Sequence, residues 1–270
     1  MTKIHQKWND YLFENIDLSG FKINNELNAR FFDEKGLKPH IIRRLIKIAQ
    51  NFYENLKIDV PIEDITLTGS LANYNWSKYS DVDLHILIDF TQFDEVPEDR
   101  ELIEDYLNAR RALWNKKHKI MIKGFEVEIY IQDSSEPHVS TGVHSLMKKN
   151  WLVEPKREDF KIDNKDVEKK AKSLMDLIDR GENILKDKNY EESYLFAIKL
   201  KDKIAKFRKA GLEKGGQYSA ENIAFKVLRR NEYLKKLASL VTDSYDKKMS
   251  MVEGGSAADF VREWKYHLRK

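Results

Sequence analysis

Residues 68–89 read TGSLANYNWSKYSDVDLHILID. A Gly-Ser pair closes one short apolar run, ten residues intervene, and two aspartates flanking Val82 open a second apolar run. Val82, Leu84, Ile86 and Ile88 alternate along that second run, a period of two that reads as a strand with one face against a core. The preceding DITLTGS reads as a strand ending at Gly69. Asp81 and Asp83 then share the face opposite Val82 and Leu84, about 7 Å apart along the chain. Carboxylates that close repel unless one is protonated or a cation lies between them. Hard oxygen donors in such a pair suit Mg²⁺ or Mn²⁺, with phosphate oxygens of a substrate completing the shell.

Working outward, residues 38–57 place Ile41, Leu45, Ile48, Phe52 and Leu56 at helical spacing, with Pro39 near the start, where its missing N–H costs nothing. Residues 98–117 predict a second helix, with Leu102, Tyr106, Ala109 and Leu113 in register. HKIMIK and FEVEIYIQ follow as a strand pair turning at Lys123-Gly124. In the second of these, Val127, Ile129 and Ile131 point to the core and leave Glu126, Glu128 and Tyr130 on the other face. If this strand lies beside the first, Glu126 or Glu128 supplies a third carboxylate. Glu128, deeper in the strand and flanked by apolar residues, is preferred.

Residues 134–160 contain Pro137 and Pro155 and little periodicity, and read as a strap. From residue 164 to about 250 the pattern is helical. Its stripes are Val167, Ala171, Leu174, Ile178 and Leu185; Leu200, Ile204 and Phe207; and Ile223, Val227, Leu234, Leu237 and Val241. Ser219 is placed to cap the helix that carries the third. VEGGSAAD then breaks the chain before a last short helix. Mixed α/β followed by all-α predicts an α+β fold in two domains, 1–150 and 151–270.

The 270 residues are 41% hydrophobic, ample for a core, and include no cysteine, hence no thiolate metal site. No apolar run reaches the length of a membrane span and the first residues lack a secretory pattern, so a cytoplasmic protein with no membrane partner is expected. The net charge of +3 is unevenly spread: acid outnumbers base over residues 1–150 and base outnumbers acid beyond. Such halves suit a shared polyanionic ligand.

The Gly69-Ser70 turn fits the same chemistry. Glycine lets a ligand approach the backbone, exposed N–H groups hold phosphate, and Ser70 adds a hydroxyl. With metal-held carboxylates this serves phosphoryl or nucleotidyl transfer, a second metal acidifying the attacking hydroxyl. His85 shares the acidic face, either supporting Asp83 or simply completing the polar floor of the strand. His138, Ser140, Thr141 and Gly142 lie in the strap, as donors or as ordinary turn residues. Lys199, Lys203 and Lys206 align on one helix face, suited to a triphosphate or simply to water. Lys226, Arg229 and Arg230 are a weaker set, and Tyr218 is a candidate for stacking on a base.

The ordered set resembles the nucleotidyltransferase superfamily of DNA polymerase beta. Its signature is a Gly-Ser or Gly-Gly turn, a spacer of about ten residues, D-x-[DE] and a later Asp or Glu on another strand. These fall on Gly69, Ser70, Asp81, Asp83 and Glu128. SDVDL is similar to the matching stretch in oligonucleotide-synthesising members. VEIYIQDSSEPHVSTGVHSL, NWLVEP and ENIAFKVLRR resemble nucleotidyltransferase-like proteins carried by tailed phages. Thr68, where an apolar residue is usual, and a glutamate as third acid depart from the pattern.

The resemblance implies a short mixed sheet backed by helices, then a helical domain closing over the nucleotide. It implies two Mg²⁺ (or Mn²⁺) ions on Asp81, Asp83 and Glu128. An NTP, ATP first, would meet Gly69, Ser70, Lys199, Lys203, Lys206 and Tyr218. The reaction is transfer of an NMP to an acceptor hydroxyl with release of pyrophosphate. An RNA end, a nucleotide, a small molecule and a protein all remain open as acceptor, and no basic platform interleaved with aromatics is visible in the sequence. The alternative is a catalytically inactive nucleotide- or RNA-binding protein, against which three clustered acids weigh.

Overall fold

The structure, a computed structural model, describes residues 17–250 apart from 19, 94–99, 139 and 158–159. The chain divides into two compact units, Ser19–Asp159 and a helical one from Phe160 onward.

The first unit begins with a ribbon of β1 (Phe32–Asp33) and β2 (Gly36–Leu37). Helix α1 (Pro39–Glu54) follows, with Pro39 in its first turn. Its Ile41, Ile42, Leu45, Ile48, Ala49 and Phe52 form one buried face. The main sheet comprises β3 (Ile62–Thr68), β4 (Val82–Ile88), β5 (Met121–Ile122), β6 (Phe125–Asp133), β7 (Val143–Ser145) and β8 (Asn150–Val153). Its order is β5-β6-β4-β3-β7-β8. β4 and β6 run parallel and the other pairs antiparallel, so the sheet is mixed. The parallel pair needs a crossover, which helix α2 (Arg100–Lys117) provides.

Val82, Leu84, Ile86 and Ile88 are wholly buried, and Leu67, Ile129 and Leu146 extend the same core across the sheet. Lys123 (φ 51°) and Gly124 (φ 89°) make the two-residue turn between β5 and β6, the left-handed pair that a tight hairpin requires.

Two expectations for the first unit are corrected. α2 does not bury the face of Leu102 and Leu113, which are 65% and 62% exposed; its buried residue is Leu107, with Ile103 and Trp114 packed beside it. This helix docks partly through polar groups. Asn115 bonds both the N–H (3.2 Å) and the C=O (3.1 Å) of Ile129, so hydropathy alone misplaces the face. The strap over 134–160 also contributes β7 and β8 to the sheet. Runs of three and four residues are too short to display alternation, and pairing with β3 is what makes β7 a strand.

The helical unit contains α3 (Asn164–Lys186), α4 (Tyr190–Gly215), α5 (Ala220–Arg230) and α6 (Tyr233–Met249). The side chains of Asp163, Asn189 and Ser219 cap the first three. Val167, Ala171, Leu174 and Ile178 are buried, as are Leu200, Ile204, Ile223, Val227 and Leu237. The third stripe is shared by two helices, because Glu232 at φ 62° separates α5 from α6. At Gly181 a Cβ would stand 2.6 Å from Leu240 and 3.2 Å from Phe196, so α3 meets α4 and α6 closely there. The break and short helix expected beyond residue 250 lie outside the described residues. No described helix is long and apolar enough to cross a membrane.

Candidate active site

The register of β4 and β6 organises the site. Asp83 lies directly opposite Glu128, His85 opposite Tyr130 and Leu87 opposite Gln132. On the other side β3 sets Thr68 opposite Asp83 and Thr66 opposite His85. In-register residues share a face, with neighbouring strands about 4.8 Å apart. A polar row therefore crosses three strands: Thr68, Asp83, Glu128. Asp81 lies one residue before β4, on the loop that leads into it. Glu126 pairs with Met121 of β5, so Glu128 is the acid directly across from Asp83.

Gly69 closes the row. Its backbone (φ 72°, ψ −158°) lies in a region essentially restricted to glycine. A Cβ there would stand 1.7 Å from Asp83 Oδ2. The Asp83 carboxylate thus occupies the space a side chain at position 69 would fill. Ser70 heads a short 3-10 turn, and its hydroxyl donates to Ser80 Oγ (2.7 Å), which in turn accepts the Ser77 N–H (2.9 Å). The ten-residue spacer is thereby folded back, tying the residue before Asp81 to the Gly-Ser turn.

Ser140, Thr141 and Gly142 brace this turn. Ser140 Oγ accepts the Gly69 N–H at 3.4 Å and donates to Gly142 O at 3.0 Å. Asn73 donates to Thr141 Oγ1, and a Cβ at Gly142 would stand 2.1 Å from Ala72 O.

The electrostatics tie the row to its neighbours. The Tyr130 hydroxyl donates to Glu128 Oε2 at 2.6 Å. Burial raises the Tyr130 pKa far above the ordinary phenol value, and the hydrogen bond and charge of Glu128 and the charge of Asp83 push the same way. Tyr130 therefore stays a donor at any working pH. Burial pushes His85 down from its usual value; Gln132 opposes this, while His138 and Arg111 add to it. His85 is thus neutral at pH 7, stacked on Tyr130 (4.9 Å between centroids) with Nδ1 3.0 Å from Gln132 Oε1. Arg111 of α2 lies over the other ring of that stack, 5.0 Å from the Tyr130 centroid.

His138 thus reaches the site's surroundings from the strap. Tyr130 and Gln132 continue the period of Glu128, a signal present in the sequence. Arg111 arrives from a distant helix and had none.

Among the described residues, no group of three or more His, Asp and Glu side chains is gathered to hold a metal ion unaided. The donors nevertheless suit Mg²⁺: Asp83 and Glu128 offer hard oxygens from one face in register, with Asp81 adjacent, and such an ion draws its remaining ligands from phosphate and water.

Of the residues read from sequence, Gly69, Ser70, Asp81, Asp83 and Glu128 lie in the sheet unit. Lys199, Lys203, Lys206 and Tyr218 belong to the helical unit. The three lysines are exposed on α4. Lys203 lines a surface groove of about 600 Å³ with Lys169, Lys172 and Arg180. One face of the Tyr218 ring stacks on Phe160 at 3.5 Å.

A family model described as the nucleotidyltransferase domain matches residues 42–209. The chain belongs to the nucleotidyltransferase domain family. The match runs from within α1, through β3, β4 and β6, into α4 of the helical unit. No curated protein and no solved structure matches the chain.

Proposed function

We propose that this nucleotidyltransferase-family protein moves an NMP from an NTP to an acceptor hydroxyl with release of pyrophosphate, and that Asp81, Asp83 and Glu128 carry the reaction. The observation behind this reading is the direct pairing of Asp83 with Glu128 on parallel neighbours, with the Asp83 carboxylate seated against Gly69. The three acids would hold Mg²⁺ or Mn²⁺, which when bound neutralises the triphosphate and acidifies a hydroxyl. Tyr130 fixes one oxygen of Glu128, and the second oxygen takes the proton of the acceptor hydroxyl. Gly69 and Ser70 offer main-chain N–H groups to the phosphates, and the Ser70 hydroxyl would have to turn from Ser80 to join them. The Gly69 N–H has only the long contact to Ser140 to exchange for a phosphate oxygen.

The test titrates each NTP, ATP first, into the protein with Mg²⁺ or Mn²⁺, and follows transfer of an α-³²P label to RNA, nucleotide, small-molecule and protein pools. Metal-dependent transfer, lost in Asp81→Ala/Asp83→Ala, is the expected result and names the acceptor class. Binding without transfer to any pool would favour a nucleotide-binding protein that no longer catalyses. Equal behaviour of variant and wild type would remove these aspartates from the site.

A further inference from the structure

Acid outnumbers base in the sheet unit, yet one seam of its surface is lined without a single Asp or Glu. It lies where α1, the C-terminal half of α2 and β5 come together. Two cavities of about 630 and 600 Å³ open there, and Trp114 lines both. Arg44, Lys47 and Lys123 line the first; Arg110, Lys116 and Lys117 line the second. Arg110 donates to the Asn55 main chain at 2.7 Å, and no acid among the described residues pairs with any of the six. Ile48 and Phe52 form an apolar floor, and Met121 and Leu113, 50% and 62% exposed, stand at the rims.

Six cations gathered around an indole repel one another, and a bound polyanion relieves that repulsion. Each cavity falls within the range of about 300–1,000 Å³ typical of small-ligand sites, room for a base and its sugar. An aromatic ring set in a basic groove is the arrangement that holds unpaired bases by stacking and their phosphates by charge. β5 has only two residues, too few to take up a peptide as an added strand. We propose that this double groove binds single-stranded nucleic acid, with phosphates on the six cations and a base against the part of Trp114 that lines the cavities, beside its ring contacts with Phe52 (5.3 Å) and His118 (4.1 Å). The site is separate from the carboxylate row and its occupancy does not depend on catalysis. Its cations come from positions 44 to 123, on α1, α2 and the β5–β6 turn, which is why no basic platform is visible along the sequence.

The experiment measures fluorescence anisotropy of a labelled oligouridylate of about twelve nucleotides, within the span of known single-strand sites, without NTP or metal. Arg44→Glu/Lys47→Glu and Lys116→Glu/Lys117→Glu change exposed side chains only, and circular-dichroism melting verifies folding. Wild type binds, each double variant weakens binding at least about tenfold, and all four reversals together lower the slope of log K against log salt by about 3. Asp83→Asn binds the strand as wild type does, so loss of transfer and loss of binding are read apart. The proposal is overturned if wild type ignores the strand or the variants hold it as tightly. Tighter binding of a duplex or of polyglutamate at the same residues overturns it too.

Discussion

The two faces of β4 share a backbone and differ in everything that backbone carries. On one, Val82, Leu84, Ile86 and Ile88 are wholly excluded from water within a continuous hydrocarbon core. On the other, Asp83 and His85 keep partial access to solvent, beside Glu128 and Tyr130 of the parallel neighbour. Burial on the first face holds the strand in place. The second face sets like charges side by side, a cost that protonation of one acid, a cation or a bound substrate would offset. Stability and chemistry are therefore separable by substitutions one residue apart.

The largest effect belongs to the polar face. Asp83→Asn keeps the shape of the side chain and removes its charge, so nucleotidyl transfer falls by on the order of 10³-fold. The melting temperature stays level or rises, because repulsion from neighbouring acids is relieved. Label transfer and thermal melting of one preparation check both halves, and a large drop in melting temperature would contradict the division. Leu84→Ala does the reverse. Loss of a fully buried leucine costs about 3 kcal/mol of stability in urea titration, while transfer per folded molecule is retained.

Gly69→Ala is the substitution that crosses the two. Backbone strain alone costs about 2 kcal/mol in this glycine-only region. The new methyl also claims the position of Asp83 Oδ2, so the carboxylate must swing away. Both stability and transfer fall, unlike either neighbour on β4. An alanine variant that melts lower yet transfers normally would show that the Asp83 position is not critical.

These same residues mark what the sequence could reveal. β4 was legible because four apolar residues alternate without interruption, whereas the preference for Glu128 over Glu126 rested on depth alone, the register that sets Glu128 opposite Asp83 being absent from the sequence. β7 was not, because Val143–Ser145 is defined by partners on β3 far earlier in the chain. α2 was recognised as a helix but its buried face was misread, since Asn115 and Arg111 stand on the docked side, where hydropathy counts them as solvent-facing. Gly69 was readable as a turn, but that its missing side chain makes room for Asp83 is a fact of three dimensions alone. The basic groove around Trp114 shares that character, as its cations are neighbours only once α1, α2 and β5 have assembled.

The smallest effect sharpens the comparison by pH, for each face of the sheet holds one histidine. His85 is on the polar face; His144, paired with Leu67, packs on the other side against Trp151 at 4.9 Å. Burial lowers the pKa of both, more than the opposing contacts raise it. Below the ordinary value of about 6.5, the unfolded chain binds protons that the folded chain refuses. Stability from each group is thus complete above that value and is lost as pH falls through the folded pKa. Each proton contributes a slope of at most about 1.4 kcal/mol per pH unit. Urea titrations between pH 7.5 and 5.0 should show wild type losing stability and His85→Gln losing less of it, with the remainder carried by His144. If His85→Gln keeps the full acid slope, the polar face admits enough water to charge His85 without penalty, and the whole effect belongs to the histidine set in hydrocarbon.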